Sequence, residues 1–186
     1  MEDQWKWTYE QLNGHLSKLA DVSSVILQDF NPNGNDSKRK LRFTHGMPTL
    51  PQQFYYYHYD SVEVERFFES EMFFDVVAFI GHSHTPAVMI RNEDVSSLEL
   101  NYKVISMAPD KNWVRSIREF NTSREERVLV GVPSVGQPRD RFTQTGYCLY
   151  NSDTQDITFR RIPYNYKRAA QKIMNRRGDE WCAGRL

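Results

Sequence analysis

The stretch from Phe74 to Ile80 constrains this chain more than any other, because it is apolar except for Asp75 and runs directly into Gly81. A run of that length and character reads as a β-strand buried on both faces, which needs packed layers on either side of a sheet. The chain has room for such layers. Its 186 residues are 39% hydrophobic and 13% aromatic, enough for one domain with a real core and unlike a disordered composition.

Other elements fit around that strand. Thr8 and Gln11 have capping-box spacing, and Leu12, Leu16 and Leu19 recur with helical period, predicting a helix over residues 9–20 despite Gly14. Residues 24–30 and 40–44 read as two strands of a hairpin whose turn is Asn31-Pro32-Asn33-Gly34-Asn35-Asp36. Residues 54–59 form an aromatic run read as packing, and residues 61–74 a helix with Val64, Phe67 and Phe68 on one face. Strands are expected at 87–91, 98–107 and 127–132, a hairpin at 146–150 and 156–162, and a closing helix at 166–176. The fold class is therefore α/β (α+β), one domain over residues 1–178, with 179–186 a loose tail.

Formal net charge is zero, which argues against an electrostatic nucleic-acid patch. Lys167, Arg168, Lys172, Arg176 and Arg177 read as a solvated helix face. No apolar run approaches the roughly 18 residues of a membrane span, and Met1-Glu2-Asp3-Gln4-Trp5 lacks the basic start of a signal peptide. Cys148 and Cys182 read as two free thiols, and the cytoplasm is the expected location.

Chemistry concentrates in three histidines. His45 follows the 40–44 strand within His45-Gly46-Met47-Pro48, and His82 and His84 follow the buried strand within Gly81-His82-Ser83-His84-Thr85-Pro86. Neutral imidazole suits Zn, Fe, Mn and Ni alike, and ligands gather at the carboxyl ends of strands. On an extended chain, His82 and His84 would face one side.

These runs carry a resemblance. Gly81–Pro86 resembles the Gly-His-Thr-His-x-Pro signature of calcineurin-like metallophosphoesterases, and His45–Pro48 resembles their His-Gly-x-Pro segment. Pro133-Ser134-Val135-Gly136-Gln137-Pro138-Arg139-Asp140 is similar to their Gly-Ser-Val-Gly-Gln-Pro-Arg-Asp loop, and Phe159-Arg160-Arg161-Ile162-Pro163-Tyr164 to the ending of small bacterial members. The resemblance implies part of an αββα sandwich of mixed sheets flanked by helices, and a phosphoesterase chemistry using two divalent metals. His45 and His82 would bind the second metal and His84 the first, while Arg139 would contact the anionic phosphate-ester substrate or form a surface ion pair.

Three family motifs have no counterpart here: Asp-x-His, Gly-Asp-x-x-Asp and Gly-Asn-His-Asp/Glu. In the family they precede the helix that begins here at Thr8, and only seven residues do so. Gly34-Asn35-Asp36 is read as a turn, not a substitute. Two divalent ions about 3.5–4 Å apart need an anionic bridge, which three neutral imidazoles do not supply. The expectation is the C-terminal part of a metallophosphoesterase domain, holding at most one metal weakly and inactive alone. It becomes an enzyme if an upstream segment or a second chain supplies the rest. A non-catalytic binding module and a mononuclear metal-binding remnant are the alternatives. Exposed apolar strand surface invites self-association. Gly131-Val132-Pro133, where relatives have Asn-Pro-Gly, implies a reshaped loop beside Arg139.

Overall fold

A computed structural model of the chain describes residues 25–28, 40–49, 62–73, 76–91, 102–107, 113–116, 127–177, 180–184 and 186. The expected helix at 9–20, the turn at 31–36 and the aromatic run at 54–59 lie outside them.

The described residues form two sheets. The larger contains β1 (Val25–Gln28), β2 (Lys40–Thr44), β3 (Val76–Ile80), β4 (Ala87–Arg91), β5 (Tyr102–Met107) and β7 (Val128–Gly131), in the order β1-β2-β3-β7-β4-β5. The smaller contains β6 (Trp113–Ser116), β8 (Thr145–Asn151) and β9 (Asp156–Ile162), in the order β6-β9-β8. β1 and β2 pair antiparallel, as the hairpin reading required. β2, β3 and β7 run parallel, and the pairings of β7 with β4 and of β4 with β5 are antiparallel. The sheet is therefore mixed, and the ends of β2 and β3 emerge along one edge.

β3 is buried along its whole length, and its two faces serve two cores. Val76, Ala78 and Ile80 meet α1 (Val62–Glu69) through Val64, Phe67 and Phe68, with Phe73, Ala87, Met89 and Leu129 completing that core. Val77 and Phe79 turn the other way, joining Leu41, Val88, Ile90, Val128 and Val130 beneath Ile157 and Phe159 of β9. Apolar residues at every position of β3 thus satisfy a helix layer and a sheet layer at once, with period 2 deciding which. This is the mixed α/β layering anticipated from the sequence.

The helix expected over 61–74 breaks at Ser70. α1 ends at Glu69 and Glu71–Phe73 is a 3-10 turn closed by the Phe73 N–H donating to the Ser70 carbonyl at 3.2 Å. Burial of Phe73 beside Phe67, with ring centroids 5.0 Å apart, fixes that turn against the core. α2 (Tyr166–Arg177) begins at Asn165, whose side-chain oxygen accepts the Arg168 N–H at 2.9 Å as an N-cap. α3 (Glu180–Ala183) adds one helical turn within the tail. Among the described residues, no helix is long and apolar enough to cross a membrane.

Candidate metal centre

Parallel pairing aligns Thr44 with Ile80, so the residues after both strands leave the sheet side by side. The Gly81 N–H extends the ladder, lying 3.3 Å from the Thr44 carbonyl and 3.1 Å from that of His45. This contact brings the two histidine runs together. His82 Nδ1 lies 3.2 Å from His45 Nε2, and the rings meet edge to face with centroids 5.1 Å apart. The ring of His45 passes over Gly81, 3.4 Å from where a Cβ would sit. Thr44 Oγ1 donates to the Gly46 carbonyl at 2.6 Å and steadies the turn that carries His45.

The backbone between His82 and His84 is not extended. Both histidines take left-handed conformations, with φ of 39° for His82 and 58° for His84. Ser83 between them is buried, and its N–H donates to the Gly81 carbonyl at 2.5 Å. Left-handed residues other than glycine carry a steric cost of about 1–3 kcal/mol each and persist where surrounding structure holds them. Gly81 itself is not left-handed.

The two rings take different partners. His84 Nδ1 lies 2.7 Å from the main-chain carbonyl oxygen of Gln137. A carbonyl only accepts, so Nδ1–H is the donor and the lone pair of the neutral ring sits on Nε2. Among the described residues, no group of three His, Cys, Asp or Glu side chains converges as a metal would require.

The loop holding His84 is itself held from below. The Arg139 N–H donates to the His84 carbonyl at 3.3 Å, and its guanidinium donates to Gln137 Oε1 at 3.3 and 3.1 Å. Arg139 therefore lies beside the histidine run. Deeper in the loop, the carboxylate of Asp140 pairs with Arg161 of β9, with side chains 0% and 4% exposed. The Phe142 ring lies 5.2 Å from the same guanidinium. Reasoning from sequence gave no role to Gln137, Asp140 or Arg161. The available signal was an arginine at the third inward position of β9, after Ile157 and Phe159. Pro133, where glycine was expected, packs against Gly146. A Cβ on Gly146 would come within 3.0 Å of the proline ring, so the glycine accommodates it.

Two ring nitrogens 3.2 Å apart fit neighbouring positions around one ion. Metal–nitrogen bonds of about 2.1 Å place adjacent ligand nitrogens about 3.0–3.4 Å apart for octahedral to tetrahedral angles. His45 and His82 thus suit a single divalent ion, with His84 outside that pair.

Comparison with known proteins agrees with the layering. No family model matches the sequence. The chain is 28% identical over 181 residues to an uncharacterized protein of Methanocaldococcus jannaschii, a match covering 97% of this chain and 62% of that protein. Among solved structures, it is similar to a metallophosphoesterase from Sphaerobacter thermophilus, with a TM-score of 0.70 and 24% identity, over 97% of this chain and 65% of that one. It also resembles a hypothetical protein from Pyrococcus horikoshii, with a TM-score of 0.55 and 16% identity, over 96% and 56%. The chain has the metallophosphoesterase fold over the part it spans, which is about six tenths of the length of these proteins.

Proposed function

We propose that this chain is the C-terminal part of a calcineurin-like metallophosphoesterase and carries the histidine half of a two-metal centre. The observation that carries the reading is the 3.2 Å approach of His82 Nδ1 to His45 Nε2 at the aligned ends of two parallel strands. In this reading His45 and His82 hold one divalent ion, manganese, iron, zinc or nickel. His84 presents Nε2 toward the other, its ring fixed by the Gln137 carbonyl. Outer hydrogen bonds of this kind set the tautomer and aim of a ligating imidazole.

Bound divalent ions supply Lewis acidity toward a phosphate oxygen and lower the pKa of water. The chain's own residues do the rest. His45, His82 and His84 position the ions, and Arg139, anchored on Gln137, offers a cation to the phosphate ester. The carboxylates that such a pair of ions requires come from a polypeptide segment equivalent to the part of the longer relatives that this chain does not span. Alone, the chain binds one ion weakly and turns over little or no phosphate ester.

Cobalt(II) titration followed by its visible absorption tests the ligand assignment. The expected result is a single imidazole-coordinated ion, with affinity falling at least tenfold in His45→Ala and in His82→Ala. Equal affinity in all three proteins would overturn it.

A further inference from the structure

The loop that meets His84 is folded around one hydroxyl. Ser134 Oγ accepts the Gln137 N–H at 2.9 Å and the Gly136 N–H at 3.3 Å. This is the bonding of a helix N-cap, in which a serine oxygen satisfies the donors two and three residues further on. No helix follows. Pro138 has no N–H to continue one, and it disfavours the helical region at the residue before it. The turn ends instead at the Gln137 carbonyl, the acceptor for His84 Nδ1 at 2.7 Å.

Both ends of the turn are tied down. At its start, the Thr145 hydroxyl donates to the Ser134 carbonyl at 3.0 Å, and the Gly146 N–H donates to the same oxygen at 3.2 Å. At its far end, the Arg139 N–H returns to the His84 carbonyl at 3.3 Å, and Pro138 is buried between the two contacts. The main chain of residues 137–139 thus holds His84 by its ring and by its carbonyl, and Ser134 joins that grip to β8. The tip between them is different. Val135 is 78% exposed, and a Cβ on Gly136 would meet nothing within 4 Å. The shape of the turn therefore rests on the Ser134 hydroxyl and not on side-chain packing at the tip.

The consequence lies in the single proton of the neutral His84 ring. An unanchored imidazole carries that proton on either nitrogen, so either nitrogen can present the lone pair. The Gln137 carbonyl accepts from Nδ1–H alone and leaves the lone pair on Nε2. We propose that Ser134 is a positioning residue that acts through Gln137: its hydroxyl holds the Gln137 carbonyl against His84 Nδ1 and so fixes the tautomer and aim of the ring. Without that hydroxyl, the Gly136 and Gln137 N–H groups turn to water and the carbonyl loses its direction. The relay is a property of this chain; that His84 Nε2 serves a metal rests on the metallophosphoesterase reading.

The test follows the histidine ring nitrogens of the full, metal-free chain by NMR on isotope-labelled protein at about pH 8, where an ordinary imidazole is neutral. The His84 signals are assigned by their loss in His84→Ala. The native chain should show one tautomer, with the proton on Nδ1. Ser134→Ala should mix the tautomers and speed exchange of the Nδ1 proton with water roughly tenfold, the scale of one lost hydrogen bond. Ser134→Thr keeps the hydroxyl and should restore both, and Gly136→Ala should change neither. Position 134 is half-buried in a loop, and unchanged circular dichroism checks that the variants fold. Should Ser134→Ala fail to fold, Thr145→Val removes the tie on the Ser134 carbonyl and should give the same mixing. A ring unchanged in the variant that folds overturns the proposal. So does Ser134→Thr behaving like Ser134→Ala, or Gly136→Ala mixing the tautomers as strongly. The expected tautomer shift in a chain whose cobalt(II) affinity is unaffected by His45→Ala and His82→Ala leaves the relay standing and overturns the metallophosphoesterase reading.

Discussion

Gly146 shows how one residue can protect the geometry around the candidate site. A Cβ there would fall 2.9 Å from the Arg160 carbonyl oxygen and 3.0 Å from the Pro133 ring, and neither neighbour is the end of a flexible side chain. Gly146→Ala must push β8 from β9 or displace the loop behind His84, and should destabilise the fold by about 1–3 kcal/mol in denaturant titration. Asp140 makes a different demand. Its carboxylate is fully enclosed with the Arg161 guanidinium. Removing one partner leaves the other charged and uncompensated, so Asp140→Ala should cost about 3–5 kcal/mol, whereas Asp140→Leu combined with Arg161→Met should recover much of that loss. Equilibrium unfolding of the two single variants and the pair measures the coupling. The identities of the three histidines were legible in the sequence, and so was the meeting of His45 with the His82 run. The separate partners of His82 and His84 were not, because period-2 reasoning assumes an extended chain and both residues are left-handed.

At the scale of elements, hydrophobic pattern carried the most information where burial was complete. β3 is apolar at all five positions and is covered on both faces, so no register could place it at a surface. β6 escaped notice because Trp-Val-Arg-Ser has no strong alternation. Its strand character comes from pairing with β9, where Val114 faces Thr158 and Trp113 faces Phe159. Tertiary context decides such short segments. β8 bears a further consequence. Burial against the sheet pushes the Cys148 thiol up to about 12, from an ordinary value of 9.0. The protonated form is the one the fold favours, so its contribution to stability is intact below pH 9.0 and is lost as pH rises toward about 12. Because thiolate is the nucleophile, alkylation of Cys148 by iodoacetamide at pH 8, read by peptide mass spectrometry, should be at least tenfold slower than in the unfolded chain.

For the whole molecule, the layering explains how the site is positioned. Among the described residues, a six-stranded sheet packs α1 on one face and the three strands of the smaller sheet on the other. On that second face a cavity lined by Leu41, Phe43, Phe79 and β8 ends at Val132 and Pro133. The motifs were legible in the sequence, but the position of the cavity depends on the extent of the smaller sheet, which no local pattern encodes. Metal content tests the histidine centre most directly. Manganese titration of the full chain, read by calorimetry and by metal analysis after gel filtration, should give at most one weakly held equivalent that His82→Ala abolishes. Two tightly held equivalents, or one that survives His82→Ala unchanged, would contradict it.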